Sequence, residues 1–488
     1  MYSFLLCLLA LLLGYLFYGR LMERLFRPDG RQTPVQLHED GVDYIRLPRW
    51  KIFMIQFLNI AGLGPIFGAI LGAKFGVSCF LWIVLGSIFA GATHDYLAAM
   101  ISLRHGGESL PESVGRYLGR PLMRLMLVFS VVLLILVGVV FVASPATILA
   151  AMTPASLGES FWVIVIFVYY FAAAVLPIDK IIGRVYPLFA IALLFMAFGL
   201  LVVLCGKWPE LPELWDGLGN AHPQADSFPL FPVLFVSVAC GAISGFHATQ
   251  SPMMCRCIQR EADGRPIFYG AMIVEGVVAL IWAAVATYFF RYGAMEGATE
   301  PYAAKPALVV KFMSEHWLGT LGGLLAVLGV VAAPITTGDT ALRSARLIIA
   351  DALHIDQSRL SRRLAVSVSL FVVCMAILLY SLTDKEGFDK VWRYFSWANQ
   401  TLAVFTLWMI TVYLSRRRLC CYPALLPAVF MTAVSSTYFC VGGECLGLPL
   451  PISCAIGLGV TLTALICFVY WRRWGNGEQK ETNDNACS

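Results

Sequence analysis

At positions 59–65 the chain reads NIAGLGP, which places two glycines and a proline in the middle of an apolar segment at residues 51–73. A second apolar segment, residues 229–252, reads CGAISGFH at positions 240–247. Glycine permits a helix to unwind, and proline lacks a backbone donor but suits the first turn of a new helix. Unpaired backbone groups are costly in lipid, so such breaks persist only where protein or a polar cavity satisfies them. Both segments are predicted to be interrupted membrane helices.

Each break alone is also explained by a helix kink or by a close helix–helix contact through small residues. The two breaks, however, lie five predicted spans apart, and an odd number of spans reverses the direction of the second copy. Interrupted helices at corresponding positions of two inverted halves are a sequence pointer to a transport site. The pattern therefore predicts an inverted repeat of five helices, with one extra helix before it and two after it.

The composition supports a membrane protein. Of the 488 residues, 59% are hydrophobic and 13% are charged, whereas soluble chains average about 45–50% apolar and about 25% charged residues. Mean hydropathy is +0.76, and the apolar residues fall in blocks of roughly twenty, the length of a membrane-spanning helix. This composition excludes a cytosolic enzyme, a nucleic-acid-binding domain and a disordered chain.

Hydropathy predicts an all-α polytopic protein with thirteen spans. Residues 3–19 lack a positive leader and a small-residue cleavage site, so they are interpreted as the first span. The predicted spans are 3–19, 51–73, 78–103, 121–152, 161–177, 185–206, 229–252, 267–290, 317–340, 364–383, 392–414, 422–440 and 450–471. The predicted units are an N-terminal helix and loop (1–50), the two repeats (51–206 and 207–414), and two C-terminal helices with a tail (415–488).

The distribution of basic residues tests the count of spans. With the N-terminus outside, 27 of the 35 Lys and Arg residues fall in cytoplasmic segments, as the excess of positive charge in such loops requires. One missed or invented span would scramble this alternation. The sequence therefore predicts an outside N-terminus and a cytoplasmic C-terminus.

Ionisable side chains inside predicted spans need a reason, because a charge at the bilayer centre is costly. Asp95 and Glu275 are candidate proton carriers, with His94 beside the first of them. His247 follows the second break and is a candidate ligand for a substrate carboxylate. The structural alternatives stay open: Asp95 pairs with His94, Glu275 bonds to a broken helix, and His247 is a satisfied interhelical donor.

Polar groups around the breaks complete the predicted substrate site, since the amide-bearing ends of half-helices attract anions. The predicted substrate-binding residues are Asn59, Gly62, Gly64, Pro65, Ser244, Gly245, His247, Gln250, Asn399 and Gln400. The two adjacent amides at 399 and 400 either line a path or join helices.

A second polar group ends the ninth predicted span. Hydroxyl and carboxylate oxygens suit a small cation, and the predicted proton or ion path comprises His94, Asp95, Glu275, Thr336, Thr337, Asp339 and Thr340. Asp339 and Arg343, at helical spacing i,i+4, alternatively form a simple ion pair.

Metal and nucleophile motifs are not evident. Cys255 and Cys257 lack zinc-ligand spacing and partners, and neither a Gly-x-Ser-x-Gly elbow nor a Walker-type phosphate loop occurs. A disulfide between Cys440 and Cys445, in a predicted outward loop, is left open. The sequence predicts no enzyme activity, no resident metal and no cofactor.

At these residues the chain resembles a known family, the carbon starvation protein A (CstA) family of bacterial inner-membrane transporters, in its shorter form. The matching stretches are Asp40–Tyr44, Ala61–Pro65, His94–Tyr96, Arg104–Leu110, Ser244–His247, Gly338–Thr340 with Arg343–Arg346, and Ala398–Gln400. The resemblance implies the LeuT/APC-like five-plus-five fold and secondary active uptake of a small nutrient during carbon starvation.

The resulting hypothesis is a proton-driven importer of a small carboxylate-bearing nutrient, with pyruvate as the first substrate and sodium as the second choice of coupling ion. Uptake of di- or oligopeptides is the alternative substrate, as a carboxylate site suits both. A channel is a remote alternative, and an intramembrane enzyme using His94, Asp95 and His247 is a further one. The partners expected are the small substrate and the lipid bilayer, without nucleic acid, and the oligomeric state stays open.

Overall fold

The computed structural model describes residues 1–40, 44–175, 179–353, 355, 360–384 and 387–475. Three of the residues that carried the family resemblance, 41–43, and the predicted tail at 476–488 lie outside the described residues. Helices make up 80% of the structure, and no strand occurs in the described ranges. The chain is thus all-helical, as predicted.

Long helices follow one another with short connections. Their bounds are Tyr2–Phe26, Arg49–Ile60, Gly64–Ala73, Ser78–Arg104, Leu110–Leu118, Arg120–Met152, Glu159–Val175, Asp179–Lys207, Leu230–Cys255, Glu261–Tyr292, Pro306–Ala326, Ala333–Ala352, Leu360–Thr383, Gly387–Arg416, Tyr422–Val441 and Leu450–Tyr470.

Within the described residues, ten helices are long and apolar enough to cross a membrane, and the bent pair Arg49–Ile60 and Gly64–Ala73 makes an eleventh. The predicted span at 161–177 is a shorter apolar helix, Glu159–Ala173. The predicted span at 392–414 lies within helix Gly387–Arg416, which is not among the ten. A multi-pass membrane protein is therefore shown, whereas the count of thirteen spans stays a prediction.

The predicted ninth span, 317–340, has different bounds in the structure. The helix begins at Pro306, which occupies the first helical turn, and its backbone turns sharply at Gly319 (φ +59°, ψ −146°). Only glycine adopts such a conformation readily. The arm before this turn packs on helix Glu261–Tyr292, with ring centroids of Phe312 and Phe289 5.4 Å apart. Hydropathy missed this arm because its residues are partly polar.

Burial separates central from peripheral helices. In the most apolar windows of Ser78–Arg104 and Glu261–Tyr292, 83% of the residues are buried, against 22% in Leu450–Arg473. Peripheral helices expose large apolar side chains, such as Ile466, of which 66% is exposed. Such exposure suits a lipid environment, since lipid tails are as apolar as these side chains. The two central helices therefore flank the region where a buried site is expected.

Candidate functional site

Both predicted breaks are present. We call residues Arg49–Ala73 the first broken helix, whose halves Arg49–Ile60 and Gly64–Ala73 bend by 52°. We call Leu230–Cys255 the second broken helix. There, Ala239 has a positive φ of 38°, and Ser244 is extended (φ −148°, ψ 123°) before the helix resumes at Gly245. Neither segment is a continuous helix.

The two breaks are in direct contact. A Cβ atom placed on Gly64 would collide with the Cβ of Cys240, and one on Gly68 would lie 2.5 Å from the backbone oxygen of Val238. A Cβ on Gly241 would lie 3.7 Å from the Cα of Pro65. The backbones approach this closely only because these positions lack side chains. The sequence prediction that the unwound stretches meet is thus confirmed by the geometry.

A Gly68→Ala substitution should destabilise the protein, because the new methyl group meets backbone oxygen rather than a movable side chain. We expect a loss of about 1–3 kcal/mol, typical of overpacking, measured as a lower unfolding midpoint of the purified protein in detergent. Gly459→Ala is the matched control, since nothing lies within 4 Å of a Cβ at that position. Equal midpoints for the two variants would contradict the close contact of the breaks.

Side chains from neighbouring helices satisfy the second break. The Oδ1 atom of Asn399 accepts hydrogen bonds from the Phe246 amide (2.7 Å) and the Ser244 hydroxyl (3.0 Å). The Gln400 amide donates to the Ile243 carbonyl at 3.2 Å, and the Ser87 hydroxyl donates to the Gly241 carbonyl at 3.0 Å. Exposed backbone groups thereby gain partners, as the interior of a membrane protein requires.

The sequence left open whether the side-chain amides of Asn399 and Gln400 line a path or join helices. Both side chains are fully buried and bind the break itself, which corresponds to joining helices. Gly245 is part of this contact, since a Cβ there would lie 2.5 Å from the Ala403 nitrogen. Substrate binding by these three residues stays a prediction.

Four buried ionisable side chains form what we call the central cluster: His94, Asp95, His247 and Glu275. The carboxylate of Asp95 lies 2.8 Å from the Nδ1 atoms of both His94 and His247, one imidazole on each oxygen. On the other side of the His247 ring, Nε2 is 3.5 Å from Oε2 of Glu275. All four side chains are fully buried.

Proton positions follow from this geometry. An ionised carboxylate only accepts hydrogen bonds, so each imidazole donates from Nδ1 to Asp95. The Nε2 atom of His247 then faces Glu275, at a distance too long for a hydrogen bond. One proton can reside on either side of that gap, giving an imidazolium–carboxylate pair or a neutral pair. Both carboxylate oxygens of Glu275 lack a hydrogen-bond partner among the described residues, and so do the Nε2 atoms of His94 and His247.

Three helices bring the cluster together at the second break. Helix Ser78–Arg104 passes so close that a Cβ on Gly91 would collide with the carbonyl oxygen of Ala242. Helix Glu261–Tyr292 supplies Glu275 and packs through Gly276 on Ser87, whose hydroxyl would be 2.5 Å from a Cβ there. His247 lies in the first turn after the break. The cluster therefore adjoins the unwound backbone.

Other predicted residues of the breaks are also buried. The Oδ1 atom of Asn59 has no hydrogen-bond partner among the described residues. Gly62 lies against the ring of Phe141, which would be 2.7 Å from a Cβ at that position. The Gln250 amide donates to Thr249 at 3.0 Å. Their roles in binding stay predictions.

The side chains predicted to line an ion path at the end of the ninth span form local hydrogen bonds and an ion pair. The hydroxyls of Thr336 and Thr337 donate to the carbonyl of Ala333 in the preceding turn, and that of Thr340 donates to Thr337. Asp339 pairs with Arg343 at 3.2 Å. Within the described part of the chain, no cluster of His, Cys, Asp and Glu suits a metal ion. A coupling role for this segment stays a prediction.

Cys440 and Cys445 are both free thiols in this structure. The disulfide that the sequence left open is therefore not formed here.

Sequence reasoning missed a buried ion pair at the end of helix Ser78–Arg104. The guanidinium of Arg104 binds both carboxylate oxygens of Glu261, at 2.9 and 3.0 Å, and lies 3.9 Å from the centre of the Phe26 ring. Glu261 is 1% exposed. No sequence signal distinguishes it from the exposed acids of other loops, because its partner lies far away along the chain.

Comparisons with known proteins agree with this architecture. The chain resembles a manganese transporter from Eremococcus coleocola (TM-score 0.55, 13% identity, 89% of this chain and 97% of the other). It is similarly close to MhsT, solved in complex with L-phenylalanine (TM-score 0.55, 15% identity, 89% of this chain and 100% of the other). At these identities the likeness shows the fold alone, that of LeuT-type transporters.

Sequence relatives are more specific. An uncharacterized membrane protein of Haemophilus influenzae is 44% identical over 59% of this chain and 91% of its own length. The peptide transporter CstA of Mycobacterium tuberculosis is 27% identical over 83% of this chain and 70% of its own length. The pyruvate/proton symporter BtsT of Escherichia coli is 29% identical over 51% of this chain and 43% of its own length.

The family profile described as carbon starvation protein CstA matches three overlapping segments, residues 1–161, 147–319 and 307–438. These segments include both broken helices and all members of the central cluster. The named relatives in this family are membrane transporters rather than enzymes. The chain therefore belongs to the carbon starvation protein CstA family.

Proposed function

We propose that the protein is a proton-coupled symporter that imports a small carboxylate-bearing nutrient, with pyruvate as its substrate. The central cluster carries this proposal. With neutral imidazoles and two ionised carboxylates it would bear two negative charges in a buried site, which is unfavourable. An added proton between His247 and Glu275 reduces that charge. Binding and release of this proton is the proposed coupling step, with sodium coupling as the less favoured option.

The adjacent first break supports a carboxylate ligand. The amides of Gly62, Leu63 and Gly64 are buried and have no hydrogen-bond acceptor among the described residues. Buried amides without acceptors are rare, and consecutive backbone N–H groups form anion-binding concavities. The ring of Phe141 lies over Gly62, so substrate entry requires the ring to move. A proton bound at the central cluster would balance the negative charge of the substrate.

The transport cycle proposed is alternating access between two inverted five-helix repeats, residues 51–206 and 207–414. The contact between their broken helices forms the pivot, because loosening on either side exposes the same unwound backbone. We place the protein in the bacterial inner membrane with its N-terminus outside and its C-terminus in the cytoplasm, since that orientation satisfies the distribution of basic residues.

Relatives support two substrates. The Escherichia coli relative is named a pyruvate/proton symporter and several others are named peptide transporters. Pyruvate needs only an anion site and a proton, both of which the residues described above can supply. A peptide also needs a partner for its amine, for which Glu275 is the candidate. Peptide uptake is therefore the second proposal.

Proteoliposomes distinguish these substrates. With labelled pyruvate and an inward proton gradient of about one pH unit, equivalent to about 1.4 kcal/mol, electroneutral symport should give about tenfold accumulation. A proton ionophore should reduce it to equilibration. Accumulation of dialanine alone would select the peptide proposal, and accumulation of neither would overturn both. If pyruvate only equilibrates and shows no counterflow exchange, the protein is a channel. If accumulation depends on a sodium gradient instead of a proton gradient, sodium is the coupling ion.

A further inference from the structure

A cavity of about 180 Å³ lies away from the central cluster. Its walls come from the end of the first broken helix at Lys74, the segment at His222, and the start of helix Gly387–Arg416 at Trp392. We call it the Lys74 cavity. An engineered cavity of about 150 Å³ binds benzene, which has six heavy atoms, so a ligand of comparable size fits here.

Two buried donors in this wall have no hydrogen-bond partner in the described part of the chain. Trp392 and Ser396 are 2% and 1% exposed, and both line the cavity. Neither the indole Nε1 of Trp392 nor the hydroxyl of Ser396 has a hydrogen-bond partner among the described residues. Leaving buried donors unpaired is unfavourable, so both groups point to an acceptor ligand in the cavity.

The charged groups favour an anion. Lys74 is partly buried and has no carboxylate within 4 Å among the described residues, although Asp389 on the cavity wall attracts it. Arg393, also on the wall, is held by Glu444 at 3.1 Å. His222 is a neutral neighbour at pH 7, because burial and the charge of Lys74 lower its pKa to about 4. Donors thus outnumber the single lining carboxylate.

We infer that the Lys74 cavity is a second binding site for a small carboxylate, held by the Lys74 ammonium and the unpaired donors of Trp392 and Ser396. In the proposed orientation this cavity faces outside, so it is the first site that an incoming substrate meets. The ring of Trp392 contacts that of Phe67, at 5.7 Å between centroids. Phe67 belongs to the second half of the first broken helix, which links the cavity to the breaks. The choice of a small carboxylate such as pyruvate as the ligand rests on the proposed function.

Equilibrium binding of labelled pyruvate to the full chain in lipid nanodiscs tests the site, with acetate and inorganic phosphate as competitors. Lys74→Gln should weaken binding about tenfold, in line with the loss of a charge-assisted contact, whereas Lys74→Arg should retain most of it. Trp392→Phe should weaken binding as well, since the ring stays but the donor is lost. Lys207→Gln is the matched control: Lys207 pairs with Glu296 at 3.3 Å and does not line the cavity.

Uptake by the same variants in proteoliposomes separates this inference from the proposed function. Lys74-dependent binding without any uptake by the wild type supports the cavity and overturns the symporter. Proton-driven uptake with unchanged binding and KM in Lys74→Gln overturns the cavity and leaves the symporter. Phosphate that competes as well as acetate would overturn the carboxylate assignment, and absence of pyruvate binding together with absence of uptake would overturn both.

Discussion

An Asp95→Asn variant is expected to lose proton-driven accumulation, from about tenfold at a gradient of one pH unit to equilibration, where one unit corresponds to about 1.4 kcal/mol. Asp95 accepts a hydrogen bond from an imidazole on each of its oxygens. Asparagine keeps the shape but is neutral, and it offers one oxygen and one NH₂ group. One imidazole must then lose its acceptor or change its tautomer, and the charge that holds the proton at His247 disappears.

Substrate exchange separates loss of coupling from loss of folding. The variant should retain counterflow of labelled pyruvate at equal pH on both sides, because exchange needs substrate binding but no net proton release. Asp226→Asn is the matched control, since Asp226 is an exposed aspartate of a connecting loop. If Asp95→Asn accumulates pyruvate like the control, Asp95 has no part in coupling, and the central cluster is structural.

A Glu261→Gln variant should be strongly destabilised. It removes the carboxylate that binds Arg104 at 2.9 Å, whose side chain is 9% exposed, and leaves the exposed Asp29 at 4.0 Å as the remaining anion among the described residues. Removing one partner of a buried ion pair leaves an uncompensated charge and typically costs about 3–5 kcal/mol. The hydrogen bond from the Asp29 amide to Glu261 (2.9 Å) is also affected, so the segment that follows the first helix should loosen from the start of helix Glu261–Tyr292. The measurement is thermal unfolding in detergent.

Two further variants test the cause. Arg31 lies 3.6 Å from the same carboxylate, but its side chain is 42% exposed. Arg31→Gln should therefore change the free energy of unfolding by no more than about 1 kcal/mol. The double variant Arg104→Met with Glu261→Met removes both charges and should recover much of the lost stability, as apolar replacement of buried pairs often does. A double variant no more stable than Glu261→Gln would show that the hydrogen bonds, rather than the unpaired charge, determine the effect.

The positions of the breaks were predictable because glycine and proline act locally. Residues 61–63 and 242–244 leave the helix inside the two stretches that the sequence predicts, 61–65 and 241–247, since no neighbour is needed to make a glycine-rich segment a poor helix. The contact between the breaks was expected from the hypothesis of an inverted repeat; the contact is present, and the repeat stays a prediction. What hydropathy missed, such as the arm that begins at Pro306, interrupts its apolar residues with Lys311, Ser314, Glu315 and His316.

Membership of the central cluster was only partly predictable. Each ionisable residue was conspicuous in its own span, but the sequence left open whether Asp95 pairs with His94 alone. The structure shows Asp95 between two imidazoles with Glu275 beyond the second. Likewise, Asn399 and Gln400 were predicted either to line a path or to join helices, and their bonds to the second break became apparent only in three dimensions.

By itself the sequence determined that this protein is helical, crosses a membrane several times and contains two interrupted helices, because hydrophobicity and backbone conformation are properties of neighbouring residues. Only the tertiary structure decided which polar side chains meet. Those meetings depend on how helices far apart along the chain pack, so His247 reaches both Asp95 and Glu275, Arg104 reaches Glu261, and Trp392 and Ser396 line the same cavity as Lys74.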